Sequence, residues 1–214
     1  MFASVTWLFF DMGSTLLDET ESYALWFARA AELTGGALSA QDIAREYEAG
    51  MARYCPAIAA QLRPYGFTGT STAHLYPIEL DRPYPYAVAV VAQLAKHYKL
   101  GIIANQLPGS VARLASFGLG DYFDLVVASA EEGVSKPDPR IFELALSRAN
   151  CPPEQAVMIG DRLDNDIYPA KQLGMKTIRL LQGYAACQEP RDEAYTADAT
   201  LSSLTDLLAT LIPA

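Results

Sequence analysis

The sequence predicts an α/β protein: a parallel sheet with helices on both faces, interrupted near its start by a helical insert. Three observations carry this. Short apolar runs of strand length recur along the chain and alternate regularly with amphipathic helical patterns, as expected for right-handed strand–helix–strand crossovers. The first of these runs is too short for a helix and long enough for a strand covered on both faces. From about residue 19 to about residue 80 the pattern is helical, with no strand signal.

Val5 to Phe10 is the first strand, ended by Asp11. A helix runs from Glu21 to Leu33 on the apolar positions Ala24, Leu25, Phe27, Ala28, Ala31 and Leu33, and Gly35-Gly36 stops it. Ser39 heads a second helix toward Tyr54, with Asp42 three residues on in a loose capping box. Pro56 opens a short helix to about Leu62, a loop follows at Pro64–Gly69, and Ser71 caps a fourth helix that stops before Pro77. Helices this small are expected to pack on one another and over the end of the sheet. Arg82-Pro83-Tyr84-Pro85-Tyr86 marks the return to the sheet, with Tyr76, Tyr84 and Tyr86 packing at the junction. A helix at Ala87–Tyr98 presents Val88, Val91, Leu94 and Ala95 on one face. Strand Gly101–Ala104, helix Gly109–Phe117, strand Leu125–Ala128, helix Pro139–Ala149 and strand Val157–Ile159 come next. Helix Ile167–Leu173 is closed by Gly174 before strand Thr177–Leu181. Ala199-Thr200-Leu201 adds an edge strand ahead of the last helix, Leu204–Leu211.

The composition narrows the function classes. The chain has 214 residues, 51% hydrophobic and 19% charged, enough for one sizeable core and an accessory module. A net charge of −9 argues against nucleic acid or an anionic membrane surface as a partner. Cys55, Cys151 and Cys187 stand far apart without CxxC spacing, so they form neither a zinc site nor a disulfide framework and point to a reducing cytoplasm. No apolar run approaches a membrane span, and the N-terminus has neither a basic region nor a small-residue cleavage site. A soluble, cytoplasmic protein is expected.

Four segments put chemistry at the carboxyl ends of strands, where open parallel sheets bind ligands. The first is Phe9-Phe10-Asp11-Met12-Gly13-Ser14-Thr15, where a carboxylate follows a buried strand and needs a cation, a donor or a covalent role. In it, the Ser14 backbone amide can cradle a phosphate, and the Thr15 hydroxyl can orient Asp11. The second, Ala156 to Asp161, repeats the design and is followed by Asp164, Asn165 and Asp166. Two acidic strand ends side by side, with no His or Cys near, suit a hard cation such as Mg2+. Helix capping is the alternative for Asp164 and Asp166. The third segment is Ser135-Lys136-Pro137-Asp138-Pro139, whose prolines fix the chain ahead of a helix and aim Lys136 as a counter-charge for a phosphate. Without the two Asp motifs, Lys136 reads as a solvated surface residue. The fourth is the strand ending in Ala104-Asn105, whose amide can donate to an anion.

Asp11-x-Gly13-x-Thr15, Ala104-Asn105, Lys136-Pro137 and Gly160-Asp161-x4-Asp166 stand in the order and approximate spacing of the haloacid dehalogenase (HAD) superfamily of hydrolases, which the chain resembles over nearly its whole length. The resemblance implies a Rossmann-like three-layer core (1–17 and 82–214) with an inserted helical cap (18–81) that closes on the substrate. It implies Asp11 as a nucleophile forming an aspartyl-phosphate, Lys136 neutralising nucleophile and phosphate, and Mg2+ bound by Asp11, the Gly13 carbonyl and Asp161. Asp166 is then a supporting carboxylate, either outer-sphere to Mg2+ or paired with Lys136. Ser14, Thr15, Asn105 and Lys136 are the candidate phosphate ligands, and the expected substrate is a small phosphorylated metabolite, handled by a monomer or homodimer.

Two positions depart from the family pattern. Gly13 stands where a second Asp usually serves as general acid and base, a role worth about 10²–10⁴ in rate. Ala104 stands where a hydroxyl usually reaches the phosphate, a loss of about 1–3 kcal/mol. Three readings follow: a phosphatase with another acid or with good leaving groups, a Mg2+ and phosphate binding domain of low turnover, or a dehalogenase, against which the retained Asp161 and Asp166 speak. His74 and Asp18 are candidate replacement acids, Arg53, Tyr54 and Arg63 are polar groups that could face the site, and Gly13→Asp is expected to favour alkyl over aryl phosphates.

Overall fold

Apolar side chains on both faces of the strand Trp7–Phe10 (β1) require a helical layer on each side of it. Leu8 and Phe10 face one layer, Phe9 the other, and all three are fully buried. The computed structural model describes residues 2–69 and 72–212. After β1 come β2 (Leu17–Asp18), the helices α1 (Thr20–Glu32), α2 (Ala40–Ala52) and α3 (Ile58–Leu62), and β3 (Arg82–Pro83). The chain then alternates through α4 (Ala87–Leu94), β4 (Lys99–Ala104), α5 (Ser110–Ser116), β5 (Leu125–Ala128), α6 (Ser129–Glu132), α7 (Pro139–Ala149) and β6 (Ala156–Gly160). It closes with α8 (Tyr168–Gln172), β7 (Lys176–Leu180), β8 (Ala199–Leu201) and α9 (Asp206–Leu211).

Six of these strands form one parallel sheet in the order β5–β4–β1–β6–β7–β8. Helices α4, α5 and α9 pack on the Leu8/Phe10 face through Val91, Leu94, Leu114 and Leu207. On the Phe9 face, α7 contributes Ile141, Phe142 and Ala145, and α8 contributes Ala170. The result is the Rossmann-like three-layer α/β core. The chain builds outward from β1 through β4 and β5, then returns to lay β6 and its neighbours on the other side. Strand order therefore reverses beside β1, and the crevice at that switch point is where such sheets bind ligands. Asp11 follows β1, Asn105 follows β4 and Asp161 follows β6, so all three reach it.

The insert has its own apolar centre. Phe27, Ile43, Tyr47, Met51, Ile58 and Leu62 pack together and meet Ala185 from the loop after β7. Ser39 and Asp42 complete the capping box of α2: the Asp42 amide donates to Ser39 Oγ at 3.2 Å, and the Ser39 amide donates to Asp42 Oδ2 at 2.8 Å. Where the chain leaves and re-enters the core, β2 and β3 pair antiparallel, Leu17 with Pro83 and Asp18 with Arg82. Ser22 Oγ of α1 donates to Asp81 Oδ1 at 2.5 Å, fastening the insert beside that ribbon.

Several boundaries differ from the sequence expectation for local reasons. β1 starts at Trp7 because the Val5 amide is spent in a turn on the Phe2 carbonyl. The helix expected to reach Tyr98 loses its α pattern after Leu94, where Lys96 and His97 bond three residues back. Ser71 lies outside the described residues, and in place of the fourth helix the chain makes single 3₁₀ turns at Ala73–Leu75 and Ile78–Leu80 around Pro77. A π-helical turn at Leu163–Ile167 precedes α8. Among the described residues, no helix is long and apolar enough to cross a membrane.

Phe9 stacks on Trp7 with ring centroids 5.4 Å apart, and the Phe9 ring lies over Gly101 of β4. A Cβ at Gly101 would come within 2.6 Å of the Phe9 ring. Gly101→Ala is expected to destabilise the protein by about 1–3 kcal/mol, the usual cost of overpacking. Equilibrium urea unfolding checks this, and an unchanged midpoint would show that Phe9 has room to turn away.

Candidate active site

The loop after β1 is curled by one carbonyl. Met12 O accepts the amides of Leu16 at 2.8 Å and Leu17 at 2.9 Å, while the Asp11 amide donates back to Ile159 O of β6 at 2.9 Å. Asp11 is thereby fixed against the end of β6, with 9% of the residue exposed. Lys136 comes to it from the loop before α7. Asn105 sets that approach: its Nδ2 donates to Lys136 O at 2.8 Å, and its Oδ1 accepts the Lys136 amide at 2.7 Å. The Asp138 carboxylate caps α7 from just beyond, accepting the Arg140 amide at 3.0 Å, and Pro139 takes the first helical position.

Lys136 Nζ lies 2.6 Å from Asp11 Oδ1 and 2.5 Å from Asp166 Oδ1, with the residue only 4% exposed. Burial alone would push its ammonium pKa down, but the two carboxylates more than offset that and raise it. The second oxygen of Asp166 accepts the Arg162 amide at 3.0 Å. Burial pushes the Asp166 carboxyl up to about 6, with Lys136 pulling it back and Asp11 adding to the rise. Gly160 makes room for it, since a Cβ there would run into the Asp166 carboxyl. Of the two arrangements open to Asp166 from sequence, the structure has the pair with Lys136. Neither Asp164 nor Asp166 caps α8. Asp164 holds the Arg162 guanidinium, at 3.1 Å from Nε and 2.5 Å from Nη2.

Asp161 is buried beside this pair, and among the described residues no hydrogen bond reaches its carboxylate. Burial first, then the charges of Asp166 and Asp11, push its pKa well above the usual range. Oxygens of Asp11, Asp161 and Asp166 lie within 4.8 Å of one another. When all three are ionised, Lys136 offsets one charge and leaves two uncompensated. An all-oxygen donor set carrying that deficit fits a divalent hard cation such as Mg2+.

Two cavities meet here. One of about 120 Å³ lies among Asp11, Lys136, Asp161, Arg162 and Glu19. The other, of about 510 Å³, is walled by Tyr23, Trp26, Tyr47 and Tyr76 of the insert together with Ile58 and Leu107. Glu19, Tyr23, Asn105, Gln106 and Arg162 line both.

Glu19 and Arg162 are the residues that sequence reasoning missed. Arg162 had a signal, since it directly follows Gly160-Asp161. Glu19 had none, reading as an ordinary acidic residue at a helix start. Its carboxylate accepts Ser14 Oγ at 2.8 Å and Tyr76 OH at 2.9 Å. Burial and the neighbouring Asp81 push its pKa up to about 7. Tyr76 OH also lies 3.0 Å from Asp81 Oδ1. A phenol has one proton to give, so both contacts are hydrogen bonds only when one of the two carboxyl groups carries a proton of its own.

Other sequence candidates stand elsewhere. Among the described residues the buried Thr15 hydroxyl has no hydrogen-bond partner and makes no bond to Asp11. The Ser14 side chain is committed to Glu19, with its backbone in the left-handed region at φ 53°. Asp18 accepts the amide and hydroxyl of Thr20 at 2.9 and 2.6 Å. Arg53, Arg63 and His74 are exposed and line neither cavity, and Tyr54 sits under the Arg191 guanidinium, 4.0 Å from the ring centroid. Tyr76 packs at the junction as expected, whereas Tyr86 is exposed.

Comparison with known proteins agrees with this geometry. The family model of the haloacid dehalogenase-like hydrolases matches residues 5–174. A glyceraldehyde 3-phosphate phosphatase of Methanocaldococcus jannaschii is 38% identical over 143 residues, 66% of this chain and 61% of the relative. A protein of the same name from Pyrococcus abyssi is 31% identical over 188 residues, 80% of this chain and 79% of the relative. In three further archaeal relatives of that name the chain spans only 50% to 55% of the relative's length. A magnesium-bound HAD hydrolase structure from Bacillus subtilis shares the fold, with a TM-score of 0.75 at 21% identity over 98% of this chain and 99% of the other. With its motifs at the carboxyl ends of β1, β4 and β6 and a family match across most of its length, the chain belongs to the haloacid dehalogenase-like hydrolases.

Proposed function

We propose that the protein is a Mg2+-dependent phosphomonoesterase acting on a small phosphorylated metabolite in the cytoplasm. The observation that carries this reading is the Lys136 ammonium held between Asp11 and Asp166, with Asp161 buried beside them and, among the described residues, without a hydrogen bond or ion pair to its carboxylate. A buried carboxylate with one oxygen on an ammonium and a cation-sized charge deficit next to it is arranged to attack phosphorus. The Asp11 carboxylate forms a bond to phosphorus as the ester oxygen leaves, and water then cleaves the aspartyl-phosphate. Asp11, Asp161 and the Gly13 carbonyl would hold Mg2+, with Asp166 behind them. Bound there, the ion would neutralise phosphoryl charge, which in this chemistry supplies much of the rate. Lys136 and Arg162 offer further positive charge to the phosphoryl oxygens, Asn105 keeps Lys136 in place, and the amides of Ser14 and Thr15 lie along the same loop.

Residues 18–81 act as the cap, and the larger cavity holds the departing group. Its ring-rich walls favour a leaving group with an apolar or planar surface. Glyceraldehyde 3-phosphate, the compound in the relatives' name, is a natural first metabolite to assay.

Asp11→Asn is expected to abolish hydrolysis of p-nitrophenyl phosphate and acetyl phosphate while inorganic phosphate still binds. Turnover at the wild-type rate would show that Asp11 is not the nucleophile. EDTA is expected to stop hydrolysis and added Mg2+ to restore it, and a rate indifferent to EDTA would remove the metal from the reading. Lys136→Met leaves two buried carboxylates facing each other without a counter-charge, at a cost of about 3–5 kcal/mol. A thermal melt unchanged from wild type would contradict that.

A further inference from the structure

Gly13 is not in the left-handed backbone region, so its lack of a side chain is a matter of space. A Cβ built there would lie 2.6 Å from Glu19 Oε1 and 2.8 Å from both Glu19 Cδ and Oε2. The Glu19 carboxyl group therefore fills the volume that a side chain at position 13 would occupy. It arrives from the opposite direction, from the start of α1 rather than from the nucleophile loop. Two donors on different elements hold it there: Ser14 Oγ of the nucleophile loop at 2.8 Å and Tyr76 OH of the insert at 2.9 Å. It is also one of the few side chains that line both the small cavity at Asp11 and the larger ring-walled one. A phosphoryl group in the first and its leaving group in the second would put the scissile bond at the boundary where Glu19 stands.

Resting on the phosphatase reading above, we propose that Glu19 is the general acid and base of this site, supplying across space the carboxyl group that position 13 lacks. As the Asp11 oxygen bonds to phosphorus and the phosphorus–ester oxygen bond breaks, Glu19 gives its proton to the departing oxygen. In the second step the Glu19 carboxylate takes a proton from water as the water oxygen bonds to phosphorus. Asp11 then leaves as a carboxylate, phosphate is released and Glu19 is again protonated. The expectation from sequence that Gly13→Asp raises activity is reversed, because the added carboxyl meets one already in place.

Turnover of n-propyl phosphate, a poor leaving group, against p-nitrophenyl phosphate, a good one, tests this in the full-length protein with Mg2+. Glu19→Gln keeps the shape, with its amide oxygen accepting from one of the Ser14 and Tyr76 hydroxyls and its NH2 donating to the other, and is expected to slow the alkyl ester about 10²–10⁴-fold and the aryl ester less than about tenfold. Gly13→Asp alone is expected not to exceed wild type on either ester. The double variant Gly13→Asp/Glu19→Ala frees the volume and returns a carboxyl to it, so it is expected to hydrolyse n-propyl phosphate faster than Glu19→Ala. Equal losses on both esters in Glu19→Gln, an unchanged alkyl rate, or a double variant no faster than Glu19→Ala would each overturn the assignment. Wild-type protein that turns over neither ester would overturn the phosphatase reading and this inference with it, whereas aryl turnover lost in Asp11→Asn but an alkyl rate untouched in Glu19→Gln would overturn the inference alone.

Discussion

A single ammonium group holds together the end of the sheet. Lys136 Nζ is the shared partner of Asp11 and Asp166, and all three residues are buried. Like charges this close repel strongly away from water, so the carboxylates can converge only with a cation between them. Much of the surrounding structure serves to deliver that cation. The β4 strand carries Asn105, whose side chain clasps the Lys136 backbone from both sides. Gly160 leaves room for Asp166, and the π-helical turn after it turns the Arg162 amide onto the free oxygen of Asp166. The parallel sheet brings the ends of β1, β4 and β6 close enough for one lysine to matter to all of them.

The parts of this arrangement that are local in the chain could be read from the sequence. An apolar run followed by Asp marks both Asp11 and Asp161, and two prolines mark the rigid approach of Lys136. The sheet itself is equally legible, down to the edge strand at Ala199–Leu201, because its strands are short, mostly apolar runs set between helical patterns. What depends on contacts between distant residues left no trace. Tyr76 meets Glu19 across 57 positions, and no periodicity encodes such a meeting. The β2–β3 ribbon has two residues per strand, too few for any alternation to show. Thr15 is adjacent in sequence to the site, but adjacency does not fix where a hydroxyl lands: among the described residues its Oγ1 is buried with no hydrogen-bond partner, Asp11 included.

The carboxyl groups on the insert side differ in kind from those at the sheet. Asp11 and Asp166 face a fixed positive charge, whereas Glu19 faces hydroxyls: Ser14 on one oxygen and Tyr76 on the other. Hydroxyl partners accommodate either protonation state of a carboxyl, since they can donate or accept, while an ammonium stabilises only the anion. The same site thus contains carboxylates paired with an ammonium and a carboxyl group held by hydroxyls, set apart by their partners rather than by residue type.

The antiparallel ribbon of β2 and β3 is the place where both chain crossings between insert and core are tied together. Any swing of the insert has its fulcrum there, and displacement grows with distance from a fulcrum. Glu19 is the residue immediately after β2, so it has almost no lever arm. The stretch around Pro56 and Ile58, which also walls the larger cavity, lies far along the chain from that ribbon. A rotation large enough to admit or release a bulky group at that wall would leave Glu19 almost stationary beside Asp11. Alignment at the reacting bond and clearance at the entrance are thereby mechanically separable, and the wall is free to vary in shape without disturbing the alignment.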